Sequence, residues 1–133
     1  MKHDVADTRV AVIIPAYGQP WLTCETLHTA LNQIADFSYS IVIVNDGCPT
    51  KETHEVCQTF ASSYPEHIFY LAKENGGLSA ARNSGIEFAL AAFPRLEAVY
   101  FLDCDNRIGP HLLQRLLNAL RSSGPEIGCV YPD

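Results

Sequence analysis

Five short runs of consecutive apolar residues punctuate the chain, and between them apolar positions recur with a helical period. Val10-Ala11-Val12-Ile13-Ile14 is stopped by Pro15, and Ile41-Val42-Ile43-Val44 by Asn45-Asp46-Gly47. Ile68-Phe69-Tyr70-Leu71 and Ala98-Val99-Tyr100-Phe101-Leu102 repeat the type, and Ile127-Gly128-Cys129-Val130-Tyr131 has the composition of a fifth. Runs without polar alternation are what strands need when helices cover both faces of a parallel sheet. Leu27, Ala30, Leu31 and Ile34 fall at i, i+3, i+4 and i+7 and predict a first helix. A weaker second helix is expected near residues 50–62, anchored by Val56 and Phe60. A third carries Leu78, Ala81, Gly85, Ala89 and Phe93 and ends before Pro94. The fourth carries Leu112, Leu113, Leu116, Leu117 and Leu120, opened by Pro110 and closed by Gly124-Pro125. The alternation β-α-β-α-β-α-β-α-β predicts an α/β fold with an open, doubly wound, mostly parallel sheet, in a single domain over residues 1–133.

Composition agrees with a folded domain: 47% of the 133 residues are hydrophobic and 18% charged. Nine Lys and Arg against fifteen Asp and Glu leave a net charge of −6, which opposes binding to nucleic acid or anionic membranes. The five cysteines form an odd set without a CxxC spacing, so reduced thiols are expected and not a disulfide framework. The longest apolar stretches are strand-sized, so no membrane segment is expected within the chain. Met1-Lys2-His3-Asp4-Val5 lacks the apolar core of a secretory signal, which predicts a cytoplasmic protein.

In doubly wound sheets ligands sit beyond the carboxyl ends of the strands, so the residues just past each run are the candidates for chemistry. These are Pro15-Ala16-Tyr17-Gly18, Asn45-Asp46-Gly47, Glu74-Asn75-Gly76-Gly77 and Asp103-Cys104-Asp105-Asn106. Asp103 and Asp105, two apart in extended chain, would point to one side about 6.5–7 Å apart. Such a pair either grips Mg²⁺ or Mn²⁺ together with substrate phosphate oxygens, or simply ends a strand and caps a turn. Asn75-Gly76-Gly77 leads into the helix bearing Ser79 and Arg82 and is either a phosphate cradle or a tight turn. Asp46 is a turn former or an acceptor for a base or ribose, and Tyr17 stacks on a base or covers the sheet edge. GxGxxG, GxxxxGK[ST] and GxSxG are all missing, which disfavours dinucleotide, P-loop and serine-esterase chemistry.

Taken in order, Ala11-Val12-Ile13-Ile14-Pro15-Ala16-Tyr17, Ile43-Val44-Asn45-Asp46-Gly47, the run from Asn75 to Gly85, and Leu102-Asp103-Cys104-Asp105 resemble glycosyltransferase family 2 over about residues 9–131. The resemblance implies the GT-A fold and transfer of a sugar from a nucleotide-diphosphate donor, expected to be a UDP-sugar, onto a glycan, lipid or protein acceptor. It implies that Pro15, Ala16 and Tyr17 line the base and ribose and that Asp46 accepts from the base. Gly77 and Arg82 would border the nucleotide, Asp103 would contact ribose or share the metal, and Asp105 would coordinate Mn²⁺ or Mg²⁺. Cation charge at that place would stabilise the departing diphosphate. The chain departs from the family pattern where Cys48-Pro49-Thr50 replaces Ser-x-Asp, and where Asn106 stands at a position some members fill with a third Asp. An inverting reaction is implied, with its general base on a later segment beyond residue 133. The chain therefore reads as the donor-binding half of a longer protein. The alternatives are a degenerate GT-A-like domain that binds no donor, and a phosphotransfer enzyme with Asp103 as nucleophile, which Asn106 argues against.

Overall fold

A computed structural model describes residues 3–132. A 3₁₀ turn, Val5–Asp7, precedes β1 (Thr8–Ala16), α1 (Pro20–Leu31), β2 (Ser38–Asp46), α2 (Lys51–Ser63), β3 (Ile68–Lys73), α3 (Leu78–Ala92), β4 (Ala98–Phe101) and α4 (Leu112–Ser122). All strand pairs are parallel and the sheet order is β3-β2-β1-β4. Four of the five apolar runs form the sheet. The fifth, Ile127–Tyr131, belongs to no strand; its middle, Gly128 to Val130, lies along the groove between β4 and α4. The run is left largely uncovered, with Ile127 44% and Tyr131 83% exposed and only Val130 partly buried, so apolar composition here forms neither a strand nor a core element.

The two faces of the central strands fill separate cores, as the absence of polar alternation requires. Val10, Val12, Ile14, Ile41 and Ile43 pack with Leu27 and Ala30 of α1, Cys57 of α2, and Leu113 and Leu117 of α4. Ala11, Ile13, Val42 and Val44 face Ala81, Ala89 and Phe93 of α3 on the other side. Chain direction explains the division. From β1 to β3 the chain steps one way across the sheet, then reverses past β1 to reach β4. With right-handed crossovers, a reversal moves the connecting helix to the opposite face. Gly85 sets how closely α3 approaches, since an added Cβ would lie 2.5 Å from Ile13 Cγ2.

Helix ends follow local chemistry. Pro20 occupies the first position of α1, where a missing N–H costs nothing. α3 stops at Ala92 because Phe93 precedes Pro94 and takes an extended conformation, φ −118° and ψ 95°. Two positions depart from the helical stripes. α1 ends at Leu31, so Ile34 lies beyond it and is 59% exposed, and Leu78 at the start of α3 is 49% exposed. No helix among the described residues is long and apolar enough to cross a membrane.

The reversal creates a switch point between β1 and β4. The loops that follow these two neighbouring strands meet beyond their carboxyl ends, in a crevice where open α/β sheets bind ligands.

Candidate functional site

The crevice is a cleft of about 440 Å³. Pro15, Ala16 and Tyr17 from the end of β1 form its floor. Asp46, Asn75, Gly77, Leu78 and Ala81 form one wall, and Asp103, Cys104 and Asp105 the other. Seven of the eight residues singled out in the sequence thus meet in one place. The eighth, Arg82, does not line the cleft. It sits one turn into α3 and reaches the opposite wall, where its Nη2 donates to Asp103 Oδ1 at 3.1 Å. Its guanidinium also lies 5.5 Å from the centre of the Phe101 ring.

Side chains at the floor suit a flat ligand. Pro15 pairs with Val44 and Ala16 with Asn45 at the last rungs of the β1–β2 ladder, and both are buried. Ala16 is small enough to leave the crevice open, and Tyr17 stands beside it 52% exposed. After Tyr17 the chain turns through two left-handed residues, Gly18 (φ 69°) and Gln19 (φ 51°). This turn is tied down twice. Thr23 donates through its backbone N–H and its hydroxyl to Gln19 O, each at 3.0 Å. Gly18 N–H donates to Cys48 Sγ at 3.0 Å. Cys48 therefore links the first loop to the second. Burial alone would raise its pKa, but hydrogen bonds from Gly18 and Thr50 outweigh burial and hold the thiol below its ordinary value.

The wall on the Asp46 side is fully bonded. Asp46 Oδ1 accepts from Lys73 Nζ at 2.9 Å and from Gly76 N–H at 2.9 Å. Oδ2 accepts from Gly77 N–H at 3.0 Å, with Asn75 Nδ2 at 3.5 Å. A carboxylate offers about four lone-pair directions, and these donors take them all. Asp46, expected to accept from a base, lines the cleft but is only 5% exposed, and its carboxylate is engaged by its own protein. Burial would push its carboxyl up, but the Gly76 amide, the Lys73 ammonium and the Gly77 amide prevail and hold it below the usual range. Gly47 (φ 66°) lets the second loop approach the third, for an added Cβ there would lie 2.5 Å from Asn75 N.

The opposite wall is open. Asn106 N–H donates to Asp103 O at 3.1 Å, so the segment from Asp103 to Asn106 is a turn and not extended chain. The 6.5–7 Å spacing expected for an extended pair therefore does not apply. Asp103 is half-buried and its carboxylate is held by Arg82. Asp105 is exposed, and among the described residues no hydrogen bond or ion pair engages its carboxylate. The turn itself is fixed from below. Thr26 of α1, fully buried, donates its hydroxyl to Cys104 O at 2.9 Å and to Asn106 O at 2.6 Å.

Lys73 and Thr26 are structural parts of the site that sequence reasoning did not find. For Lys73 a signal exists: aligning the second and third apolar runs end to end places Asp46 opposite Lys73, as the ladder does. Thr26 carries no such signal, because a hydroxyl buried next to the Leu27 stripe looks like helix filler.

For a divalent cation the donor set fits. The free groups on the open wall are carboxylate oxygens, the hard ligands that Mg²⁺ and Mn²⁺ prefer. No group of three or more His, Cys, Asp or Glu among the described residues is arranged to hold a metal alone. A cation here would hence depend on Asp105, with Asp103 beside it, and on oxygens of the ligand.

Residues 11–132 match the family model described as Glycosyl transferase family 2. The chain is 31% identical over 121 residues to the minor teichoic acid biosynthesis protein GgaB of Bacillus subtilis (strain 168), covering 90% of this chain and 13% of that protein. Among solved structures, the mannosyltransferase PcManGT from Pyrobaculum calidifontis, in complex with GDP-Man and Mn²⁺, superimposes with a TM-score of 0.72 at 23% identity. That match covers 99% of this chain and 39% of PcManGT. TarS of S. aureus gives a TM-score of 0.66 at 23% identity, over 86% of this chain and 20% of TarS.

Proposed function

The chain belongs to glycosyl transferase family 2 and has the GT-A fold, and on that premise we propose that it forms the donor-binding part of a glycosyltransferase. The reaction moves a sugar from a nucleoside-diphosphate sugar to an acceptor hydroxyl on a glycan, lipid or protein. One observation carries this reading: the floor residues Pro15, Ala16 and Tyr17 and the carboxylates of Asp103 and Asp105 share a single cleft at the switch point of the sheet. The site's parts take roles by their chemistry. Tyr17 offers an exposed ring face to the base, and Ala16 and Pro15 leave room for base and ribose. Gly77 lets the ligand approach the backbone at the start of α3. Asp46 contributes by holding that loop. Arg82 sets the orientation of Asp103, which takes a ribose hydroxyl or shares the cation, and Asp105 binds the cation.

Mn²⁺ or Mg²⁺ bound there would supply positive charge to the departing diphosphate. The chain's own residues bind and orient the donor. Following the family, we place the general base for an inverting displacement on a segment beyond residue 133. The base of the donor we take to be uracil. PcManGT, with its GDP-Man and Mn²⁺, makes guanine the competing reading and supports the use of a divalent cation. Cysteines left unpaired among the described residues and a nucleotide-sugar donor support a cytoplasmic reaction.

A thermal-shift titration with UDP, GDP and ADP, each with and without Mn²⁺, tests the proposal. Ligand at about 100 times its Kd adds roughly 2.7 kcal/mol of stability, a rise on the order of 10 °C for a domain of this size. A Mn²⁺-dependent shift with UDP alone supports the full reading, and a shift with GDP alone changes the base. Asp105→Ala is expected to remove the Mn²⁺-dependent part while leaving stability within about 0.5 kcal/mol. No shift with any nucleotide, or an unchanged Mn²⁺ dependence in Asp105→Ala, overturns it.

A further inference from the structure

We propose that Lys73 is a positioning residue of the donor site, acting through Asp46 to fix where α3 begins. This rests on the donor-site reading above and assigns a part to a residue outside every motif of the site. Lys73 ends β3 and its ammonium donates to Asp46 Oδ1 at 2.9 Å and to Glu74 O at 2.6 Å. The pair is largely withdrawn from water, with side-chain exposures of 23% for Lys73 and 7% for Asp46. A carboxylate so buried needs a compensating charge, since amide donors alone leave it desolvated and unpaired. By contrast, Lys51 and Glu55 on α2 form a pair at 3.5 Å with exposures of 83% and 55%, where water screens the interaction.

With its charge balanced by Lys73, Asp46 organises the third loop. Its two oxygens receive the N–H groups of Gly76 and Gly77, and Asn75 Nδ2 donates to Asp46 O at 2.9 Å. Gly77 is the N-cap of α3 and, with φ 93°, has no side chain to cap the helix. Asp46 thus anchors the helix start from another strand. Leu78 and Ala81 on the first turn line the cleft, and Arg82 beside them grips Asp103 across it. Removing the Lys73 charge leaves Asp46 to recruit water or reorient, which frees Gly76 and Gly77 and loosens the start of α3. Lys73 never needs to touch the donor for this to change donor affinity.

The test compares Lys73→Met, Asp46→Asn, the double variant and Lys51→Met, read by amide exchange at Gly76 and Gly77 without ligand and by affinity for UDP, GDP and ADP with Mn²⁺. Exchange at both glycines is expected to rise about tenfold or more in Lys73→Met, the scale of losing one charge-assisted hydrogen bond. Asp46→Asn should match it, the double variant should go little further than the larger single effect, and Lys51→Met should change nothing. Nucleotide affinity should fall about tenfold in Lys73→Met. Unchanged exchange, effects that multiply in the double variant, or faster exchange with undiminished affinity would each overturn the role. Should Lys73→Met not fold, Lys73→Gln is read on the same two amides with the same criteria. If the parent chain binds none of the nucleotides, the donor-site reading fails, and the exchange data still decide whether Lys73 fixes the loop.

Discussion

The two walls of the cleft are built on opposite principles. On the Asp46 side every acceptor direction of the carboxylate is filled by Lys73, Asn75, Gly76 and Gly77, and the group is 5% exposed. On the other side Asp103 holds one partner, Arg82, with side-chain exposures of 48% and 33%, and Asp105 is exposed. The closed wall is completed by the protein's own groups. The open wall keeps uncompensated charge, which is what a cation or a polyhydroxylated ligand requires. Identical side chains along one edge of the sheet therefore differ in state, one bonded by its own protein and the other left open, and burial decides which is which.

The sharpest way to break the contrast is Gly47→Ala. It places a Cβ 2.5 Å from Asn75 N at a residue with φ 66°, combining left-handed strain with a backbone clash. A loss of about 2–4 kcal/mol is expected in urea denaturation, and the closed wall should lose its order.

Acid sharpens the contrast further. The Asp46 carboxyl lies below its ordinary value in the folded chain. Its stabilisation is thus complete above the unfolded value of about 4 and is lost as pH falls through the folded value. A second group titrates earlier and away from the cleft. His67, just before β3, has its ring centre 4.3 Å from that of His3, tilted, and 4.7 Å from that of Tyr39, edge to face. Burial, with His3 nearby, pushes its pKa down to about 4. The folded chain therefore binds fewer protons there, so stability is complete above about pH 6.5 and declines as pH falls toward the folded value. His67→Phe should flatten the upper limb, worth up to about 3 kcal/mol. Asp46→Asn should flatten only the lower one. Urea midpoints measured across both ranges separate them; a lower limb unaffected by Asp46→Asn would mean that the closed wall is not electrostatically held.

Arg82→Met, which removes the partner of Asp103 on the open wall, should have the smallest effect on stability, under about 1 kcal/mol, because the pair is partly solvated. Thermal melts check this, and a larger loss would show that the open wall also stabilises the fold.

Most of the fold is legible in the sequence because continuous apolar runs and helical stripes report burial directly. The runs of β1 and β2 are unambiguous as strands, although each strand continues past the residues that end its run, to Ala16 and Asp46. The fifth run misleads because apolar content shows that Ile127 to Val130 need cover without showing what supplies it. Ile34 continues a stripe past the end of its helix for a related reason: periodicity does not mark where a helix stops. At the site, the motifs locate seven of the cleft residues but not their states. That Asp46 is saturated depends on two amides 30 and 31 residues away, a fact of three-dimensional closure. That Asp103 and Asp105 lie in a turn depends on Thr26 beneath it, 78 residues from Cys104.

The pairing of β1 with β4 has a consequence for biosynthesis. Val10 meets Ala98 and Ile13 meets Phe101, so the cleft floor and its open wall come from distant parts of the chain. At a ribosomal pace of about 5–20 residues per second, β1 waits roughly five to twenty seconds for its second neighbour. During that interval one edge of β1, apolar from Val10 to Ala16, is unpaired, and Asp103 and Asp105 have not yet been made. Nascent chains can thus acquire the closed wall first, with β1, β2, β3 and α3 in place, and complete the cleft only when β4 docks.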